Sequence, residues 1–282
     1  MIAVSGAAGK TGRAICKRLV AYGQPVRALV RRQEQAQPLN ALGVTQVVCG
    51  DMRDPQVVAN LLVGVEKLYH ICSNMNPQEV IIGELFITTA QQAGLKHFVY
   101  HSVLHPQVEA MPHHWMKMRV EEKLFESGLP VTMLQPAAYY QNLLGYWEAM
   151  ITNHVYTVPY SIDAALSMVD LEDVAEAAAR ILTEPGHEHA IYELSGPQAV
   201  SAREIAELVS KKTGQAVRAQ TVNRGEWEAG ARAGGLPDYA VDTLLKMFAY
   251  YENYGFHANP NVLGWLLDRQ PTSIESFIDR QI

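Results

Sequence analysis

Short apolar runs alternate with amphipathic segments along the first half of the chain. Residues 2–4 form an apolar run, and residues 13–20 have the 3.6-residue periodicity of a helix. The alternation continues with predicted strands at residues 25–30, 46–49, 66–71, 96–100 and 131–134. The longest helical segments between them lie at residues 77–93 and 112–127. Strands and helices that alternate with short loops predict an α/β protein with a doubly wound parallel sheet.

The pattern changes after about residue 135, where the strict alternation ends. Further elements are predicted as helices at residues 143–151, 168–183, 201–213 and 236–256 and strands at residues 190–194 and 217–222. We expect residues 1–135 to form one domain, and residues 136–282 to complete the sheet and carry a small lobe. The two parts are expected to form one compact unit.

Three glycines separate the first predicted strand from the first predicted helix. Gly6, Gly9 and Gly12 allow a tight turn, a close approach of the backbone to a pyrophosphate, and packing of the helix on the strand. The N-terminus of the helix then directs its free N–H groups at the anion. A strand, a glycine turn and a helix in this order predict a dinucleotide-binding site.

A P-loop is the competing interpretation, because Gly9-Lys10-Thr11 resembles the end of G-x-x-x-x-G-K-[ST]. The leading glycine of that motif would fall at Val4, which lies inside the predicted strand. The P-loop interpretation therefore fails. Lys10 and Thr11 are better explained as turn residues, with the Thr11 hydroxyl and N–H available to a phosphate oxygen.

Two arginines close the second predicted strand. In a dinucleotide-binding fold, an acidic residue about 20 positions after the glycine turn holds the ribose 2′-hydroxyl of NAD, whereas an arginine accommodates the 2′-phosphate of NADP. Here the strand ends on Arg31 and Arg32, and the nearest acidic residue is Glu34. This favours NADP over NAD, with a solvated basic turn as the alternative.

The composition is that of an ordinary globular chain, with 48% hydrophobic and 18% charged residues among 282. A formal charge of −6 argues against nucleic acid as the main partner, which would require a basic face. No apolar run reaches the length that spans a membrane. Cys16, Cys49 and Cys72 form neither a disulfide framework nor a zinc-binding spacing. We therefore expect a cytoplasmic protein without a metal site.

Six short motifs together are typical of one family. They are the glycine turn at 6–12, the arginines 31–32, GD-x-x-D at 50–54, QPAAYYQN at 135–142, and the segments 170–174 and 266–272. With them the chain resembles the NmrA-like branch of the atypical short-chain dehydrogenase/reductases over nearly its whole length. The resemblance implies a Rossmann domain that holds NADP or NAD, and a small C-terminal α/β lobe. Members range from reductases of quinones, dyes and phenylpropanoids to regulators that bind the dinucleotide and have no known catalytic activity.

The resemblance also bears on catalysis. Catalytic members of the wider superfamily combine a serine with Tyr-x-x-x-Lys, in which the tyrosine protonates the substrate oxygen and the lysine holds the nicotinamide ribose. The matching positions are Ser102, His113 and Lys117, so a histidine stands in place of the tyrosine. His113 lies in the first turn of its helix, where the helix dipole disfavours the imidazolium, and a neutral imidazole donates hydrogen bonds but is a weak acid. A helix-start residue for His113, and a turn cap for Ser102, are the alternatives.

Ligands of parallel sheets bind beyond the carboxyl ends of the strands, where several polar residues of this chain are expected. The expected cofactor-binding residues are Gly6, Ala8, Gly9, Lys10, Thr11, Gly12, Arg31, Arg32, Asp51, Met52, Ser73, Asn74, Lys117 and Pro136. Tyr139, Tyr140 and Asn142 are expected to line the substrate pocket, with the core of the lobe as the alternative. The Glu121-Glu122-Lys123 run is expected to form a solvated helix face, and Cys72 to be a packed, inert thiol.

These residues predict a reductase that transfers hydride from NADPH to an apolar quinone-like or conjugated carbonyl acceptor. The alternative is a non-catalytic NAD(P)-dependent redox sensor that acts through a partner protein. The expected partner of the reductase is the small-molecule acceptor, and a homodimer is compatible with the sequence. The missing tyrosine weighs against the enzyme, and the aromatic second half of the chain weighs against the sensor.

Overall fold

Six strands and five α-helices alternate through the first 136 residues of the computed structural model, which describes residues 1–73 and 75–282. The strands are β1 Ile2–Val4, β2 Val26–Val30, β3 Gln46–Cys49, β4 Lys67–His70, β5 His97–His101 and β6 Val131–Pro136. The helices are α1 Lys10–Ala21, α2 Ala36–Ala41, α3 Pro55–Leu62, α4 Glu79–Gln92 and α5 Pro112–Glu126. Every strand predicted in this half is present. Asn74, an expected cofactor-binding residue, lies outside the described residues.

The second half of the chain contains shorter and less regular elements. Its strands are β7 Ala138–Tyr139, β8 Val155–Val158, β9 Leu166–Val169, β10 Ala190–Leu194, β11 Ala199–Val200 and β12 Arg218–Thr221. Its helices are α6 Trp147–Thr152, α7 Leu171–Thr183, α8 Ala202–Thr213, α9 Arg224–Ala233, α10 Asp238–Tyr254, α11 Asn261–Leu267 and α12 Ile274–Asp279.

Two predicted helices of this half differ from the structure. The helix expected at residues 143–151 is divided into a 3-10 segment, Tyr140–Gly145, and the short α6. The helix expected from residue 168 begins at Leu171, because Leu166–Val169 is a strand that pairs with β7 and β11. In the second case the strand partners lie far away in the sequence, so the local pattern does not contain them.

Seven strands form the central sheet in the order β10-β6-β5-β4-β1-β2-β3. The neighbouring pairs from β6 to β3 are parallel, and Val4 of β1 lies in register with Ala28 of β2 and Tyr69 of β4. The strand order reverses at β1, and ligands of such sheets bind at this point of reversal. The predicted α/β class with a doubly wound parallel sheet is confirmed.

The sheet is the core of the first half. Strands β1, β5 and β6 are buried along their whole length, as expected for parallel strands covered on both faces. The largest fully buried side chains near it include Tyr69, Phe86, Phe98 and Tyr100. Two of these are tyrosines, whose hydroxyls require hydrogen-bond partners inside the protein.

Contacts between Cα atoms divide the chain into two compact units. Unit 1 comprises residues 1–107, 113–135 and 174–192, and unit 2 comprises residues 108–112, 136–173 and 193–282. The assignment of residues 136–282 to one lobe stays a prediction. In the described part of either unit, no helix is both long and apolar enough to cross a membrane.

A buried carboxylate fixes the start of α7 in unit 2. Asp170 is fully buried and accepts hydrogen bonds from the Glu172 backbone N–H at 2.9 Å and from Gln141 Nε2 at 2.8 Å. Arg280, close to the C-terminus, forms an ion pair with the other carboxylate oxygen. The motif residue Gln141 therefore has a structural role, since it joins the 3-10 segment to the first turn of α7.

A second buried carboxylate in the same turn holds the segment before α12. Asp173 accepts hydrogen bonds from the Thr272 backbone N–H at 2.6 Å, from Thr272 Oγ1 at 3.0 Å and from Arg269 Nη2 at 2.8 Å. Only 2% of the Asp173 side chain is exposed. The motifs at residues 170–174 and 266–272 are thus in direct contact, through Asp173 of the first and Arg269 and Thr272 of the second.

We predict that Asp173→Ala destabilises the protein by about 2 to 4 kcal/mol, because Thr272 N–H and the Arg269 guanidinium lose a charged acceptor. Urea denaturation measures the change. The matched control is Asp163→Asn, which breaks an exposed ion pair with Arg203 in the same unit and should leave the midpoint nearly unchanged. Equal midpoints for wild type and Asp173→Ala would contradict the role of this carboxylate.

Candidate functional site

The glycine turn between β1 and α1 has no room for side chains. Gly6 has a φ of +57°, and a Cβ built on it would lie 2.7 Å from the Ile71 carbonyl oxygen. A Cβ on Gly12 would lie 2.4 Å from the Gly6 carbonyl oxygen and 2.6 Å from Ala7 Cα. All three distances are shorter than those that real Cβ atoms show, so only glycine fits at these two positions.

The start of α1 suits an anion. Gly9 is the N-cap residue, so no side chain caps the helix, and the first turn contains no acidic residue. The N-terminal N–H groups and the positive end of the helix dipole attract phosphate. The side-chain-free turn and this helix start fit a dinucleotide pyrophosphate.

The loop after β2 presents two guanidinium groups. The backbone N–H groups of Arg31 and Arg32 both donate to Gln35 Oε1, at 3.1 and 2.9 Å, which fixes the loop. Arg32 Nε lies 2.6 Å from Glu34 Oε1, and both side chains are about two-thirds exposed. Exposed ion pairs of this kind contribute little free energy, so a 2′-phosphate can replace Glu34 as the partner of Arg32.

The other expected cofactor residues of unit 1 lie in different environments. Asp51 accepts hydrogen bonds from the Arg53 backbone N–H and from Arg53 Nε, both at 2.9 Å, and these contacts lower its pKa to about 2. Met52 packs against the buried core of unit 1. Ser73 Oγ accepts a hydrogen bond from Asn76 Nδ2 at 3.3 Å. Asp51 is therefore ionised at neutral pH and already oriented by Arg53.

Three more of the expected cofactor-binding residues are Ala8, Lys10 and Pro136. The Ala8 carbonyl oxygen, in the glycine turn, accepts a hydrogen bond from Arg13 Nη2 at 3.3 Å. Pro136 is the last residue of β6 and is buried. Lys10, the first residue of α1, is exposed.

Lys117 is the centre of a buried polar cluster. Its ammonium donates hydrogen bonds to Glu79 Oε1 at 3.0 Å and to the His101 carbonyl oxygen at 3.1 Å. Tyr100 OH donates to the same Glu79 oxygen at 2.7 Å, and Lys117 Nζ lies 5.1 Å from the centre of the Tyr100 ring. Only 7% of the Lys117 side chain and 5% of the Glu79 side chain are exposed. Lys117, which the sequence predicts as a site residue, thus forms an ion pair with Glu79, which the sequence does not predict.

Close packing of α4 on α5 brings this ion pair together. A Cβ on Gly83 of α4 would lie 2.8 Å from the Val120 methyl groups of α5, so glycine allows the two helices to approach. Glu79 lies one turn before Gly83, and Lys117 lies about one turn before Val120. The partners are 38 residues apart, and no local pattern in the sequence predicts their contact.

His113 is a neutral, buried imidazole. Burial, with smaller contributions from His114 and Lys117, lowers its pKa to about 3. Its ring meets the His114 ring edge to face with 4.4 Å between centroids. His113 Nδ1 is buried without a hydrogen-bond partner in the described part of the chain. At neutral pH this side chain can donate one hydrogen bond and carries no charge.

Glu121 corrects the expectation of a solvated helix face. It is only 2% exposed, and Gln135 Nε2 donates to both of its carboxylate oxygens, at 2.9 and 3.0 Å. Burial raises the pKa of the Glu121 carboxyl, and the Ser102 hydroxyl, the Gln135 amide and Lys117 oppose that rise. Ser102 Oγ itself is buried and makes no hydrogen bond of normal geometry to any described residue. The expectation was wrong because Glu121 lies two turns after His113, on the buried face of α5.

The expected substrate-pocket residues of unit 2 do not share one environment. Tyr140 is fully buried and packs against Phe277 with 5.6 Å between ring centroids, which places it in the core of this unit. Tyr139 is half-buried in β7, and Asn142 is exposed. Tyr140 therefore fits the alternative expectation, that of a core residue. Tyr139 and Asn142 have accessible surface.

Cys72 and His70 are both buried in unit 1. Burial raises the pKa of the Cys72 thiol to about 12, so it is an inert thiol at neutral pH. His70 accepts or donates one hydrogen bond with Ser5 Oγ at 2.9 Å and stacks on Phe86. Burial lowers the pKa of His70 to about 3.

The geometry defines a class of protein. A parallel sheet whose order reverses at β1, a glycine turn that leaves no room for side chains, and an uncapped helix start together define a Rossmann-type dinucleotide-binding protein. The profile of the NmrA-like family matches residues 1–279. The chain belongs to this family.

Three comparisons illustrate the relationship. The chain is 32% identical to the NAD(P)H azoreductase of Xenophilus azovorans over 273 residues, which cover 96% of this chain and 92% of the relative. It is 29% identical to quinone oxidoreductase 2 of Escherichia coli, covering 97% and 96% of the two chains. The crystal structure of an NADPH-dependent quinone oxidoreductase from Escherichia coli complexed with NADPH superimposes with a TM-score of 0.88, at 28% identity, and covers 100% of this chain and 99% of that one.

We predict that Glu79→Leu destabilises the protein by about 3 to 5 kcal/mol, because it leaves the Lys117 ammonium buried without a counter-charge. The double variant Glu79→Leu/Lys117→Met should recover most of this loss, since both charges are removed. Urea denaturation of the two single variants and the double variant measures the coupling.

The matched control is the exposed pair of Lys96 and Glu66, whose atoms lie 2.6 Å apart with both side chains more than half exposed. The corresponding cycle should show almost no coupling, because water screens the two charges. Equal coupling in the two cycles would contradict the special role of the buried pair.

Proposed function

We propose that the protein is an NADPH-dependent reductase of quinone-like or other conjugated acceptors. The observation that carries the proposal is the full-length similarity to an NAD(P)H azoreductase and a quinone oxidoreductase, in a chain whose glycine turn fits a pyrophosphate. The two guanidinium groups after β2 support NADPH as the preferred dinucleotide. NADPH, when bound, supplies the hydride.

Lys117 has a binding role in this proposal. An ammonium has three hydrogens, and among the described residues two of them are used, by Glu79 and by the His101 carbonyl. The third can be donated to a ribose hydroxyl. Glu79 fixes the direction of the ammonium, and it also neutralises the charge that burial would otherwise make unfavourable.

Ser102 and His113 are proposed to stabilise the acceptor oxygen. Both side chains are buried and each carries a polar atom without a partner in the described structure, Ser102 Oγ and His113 Nδ1. Neutral donors in a site with little water stabilise a developing oxyanion strongly. Quinones accept hydride readily, so such donors can serve where the usual tyrosine is absent.

A homodimer and a cytoplasmic location belong to the proposal as well. Cys16, Cys49 and Cys72 are free thiols, which suits a reducing compartment. The test of assembly is light scattering at micromolar concentration.

The direct test is a screen of NADPH oxidation against quinones, azo dyes and enones, with the purified protein under anaerobic conditions. The proposal requires oxidation that depends on both the protein and the acceptor. Tight NADPH binding with no turnover across the whole panel would contradict it, and would favour the redox sensor.

We predict that Arg31→Ala weakens NADPH binding about 10-fold or more, since one charge-assisted hydrogen bond contributes about 1.5 to 3 kcal/mol. Arg32→Ala should have a smaller effect, because Glu34 competes for that guanidinium. NADH affinity should hardly change in either variant. Fluorescence titration with both dinucleotides provides the measurement, and Arg119→Ala, on an exposed part of α5, is the control. Equal losses for NADPH and NADH would refute the 2′-phosphate assignment.

We also predict that His113→Ala lowers kcat by a factor on the order of 10², as expected when one donor to a developing oxyanion is removed. NADPH affinity should be nearly unchanged, because in this proposal His113 contacts the reacting oxygen of the acceptor and not the dinucleotide. His113→Tyr is the complementary variant and should gain activity on less reactive carbonyls. If His113→Ala kept full activity with the best acceptor, His113 would have no catalytic role and would serve only at the start of the helix.

A further inference from the structure

The loop that leads from β2 into α2 is held at one point. In a regular strand, consecutive backbone N–H groups point in opposite directions. Here the N–H groups of Arg31 and Arg32 both donate to one atom, Gln35 Oε1, at 3.1 and 2.9 Å. The backbone therefore turns at Arg31, and two neighbouring donors converge on the same oxygen.

This contact begins where the sheet stops fixing the strand. Val30 is the last residue of β2 in register with β3, opposite Cys49, and its carbonyl oxygen accepts a hydrogen bond from the Gly50 N–H at 2.9 Å. The next two residues are Arg31 and Arg32, whose N–H groups the amide oxygen accepts in place of a neighbouring strand. The glutamine thus fixes the backbone of the two residues that are expected to bind the 2′-phosphate.

Gln35 is itself anchored at the start of α2. Its backbone N–H donates to the Arg32 carbonyl oxygen at 3.0 Å, so it forms two hydrogen bonds with this arginine. Gln35 is half-buried, whereas residues 31–34 are exposed. Ala36 and Leu39 of α2 are 5% and 0% exposed. The amide therefore connects an exposed loop to a helix whose apolar side chains are buried in unit 1.

The chemistry of the amide suits a site for an anion. Two consecutive N–H groups that converge form a concavity of the kind that binds anions in many proteins. In this loop the concavity is filled by the oxygen of a neutral side chain. A carboxylate at position 35 would place a negative charge beside both arginines and would repel a phosphate bound by their side chains. Gln35 supplies the acceptor without the charge.

Glu34, the neighbour of Gln35, contacts a side chain rather than the backbone. Its Oε1 lies 2.6 Å from Arg32 Nε, and this exposed pair contributes little free energy. A phosphate that replaces Glu34 must find the guanidinium within reach. Because the backbone of Arg32 is already fixed, less conformational freedom is lost when the phosphate binds.

We infer that Gln35 is a positioning residue that makes this loop selective for a dinucleotide with a 2′-phosphate. The inference deepens the proposed function and rests on its assignment of NADPH as the reductant. Arg31 and Arg32 contact the phosphate in this scheme, and Gln35 acts through their backbone. The effect is on affinity for the phosphate and involves no chemical step.

The test is calorimetric titration of the purified protein with adenosine 2′,5′-bisphosphate and with 5′-AMP. The two ligands differ only in the 2′-phosphate and contain no nicotinamide, so the measurement does not depend on turnover. Wild type should bind the bisphosphate at least about 10-fold more tightly than 5′-AMP, as one charge-assisted hydrogen bond implies.

Gln35→Leu removes the acceptor. It should weaken binding of the bisphosphate about 3- to 10-fold, since the neutral hydrogen bonds that fix the loop are lost, and should leave 5′-AMP binding unchanged. Water can replace the acceptor in this exposed loop, so the urea midpoint should hardly change. Gln37→Leu, at an exposed glutamine of α2, is the matched control and should leave both affinities unchanged.

Gln35→Glu separates position from charge. A carboxylate oxygen still accepts from both N–H groups, so the loop keeps its shape while a negative charge is added. The loss of bisphosphate affinity relative to wild type should therefore shrink as salt is added, whereas that of Gln35→Leu should persist. Glu34→Gln should bind the bisphosphate more tightly than wild type, because Arg32 loses a competing partner.

The outcomes separate this inference from the function on which it rests. Equal wild-type affinity for the two ligands overturns the preference for NADPH, and the inference with it. A wild-type preference that Gln35→Leu retains in full, or loses through equal weakening of both ligands, overturns the role of Gln35 and leaves the reductase intact. Tighter binding of the bisphosphate by Gln35→Leu overturns that role as well, because the phosphate would then compete with the amide for the two N–H groups.

Discussion

The ion pair between Lys117 and Glu79 lies where water hardly reaches, and its geometry constrains the rest of unit 1. A buried ammonium needs a carboxylate at hydrogen-bond distance, because an unpaired charge in this environment would destabilise the fold by several kcal/mol. The ion pair joins α4 to α5, and Gly83 allows the two helices to approach because it has no side chain. Tyr100 completes the cluster by donating to the same carboxylate oxygen.

The pair also sets the charge state of its neighbours. Lys117 contributes to the lowered pKa of four histidines, those at positions 70, 101, 113 and 114, although burial is the larger cause for each. The polar face of α5 therefore contains one cation and neutral imidazoles at pH 7. Glu79 balances the cation, and burial raises the pKa of the neighbouring Glu121 carboxyl, an effect that Ser102, Gln135 and Lys117 oppose.

Periodicity and glycine spacing predict the first half of the fold well. Runs such as Ile2–Val4, followed by glycines with no space for Cβ atoms, carry their structural meaning locally, and every predicted strand up to residue 136 is present. The second half is harder to predict, because β8 and β9 are short and depend on partners such as β12 and β11 that lie far along the chain. The same limitation applies to the site. The spacing of His113 and Lys117 was visible in the sequence, whereas the role of Glu79 was not, since its partner Lys117 lies 38 residues away.

Removal of both charges of the ion pair separates its structural role from its functional one. The measurement is the NADPH dissociation constant and the rate of quinone-dependent NADPH oxidation for the double variant Glu79→Leu/Lys117→Met. The account predicts a folded protein that binds NADPH at least 10-fold more weakly than wild type, as one lost charge-assisted hydrogen bond implies, and that turns over far more slowly. A double variant with the affinity and rate of the wild type would contradict the claim that this buried lysine is the centre of the functional site.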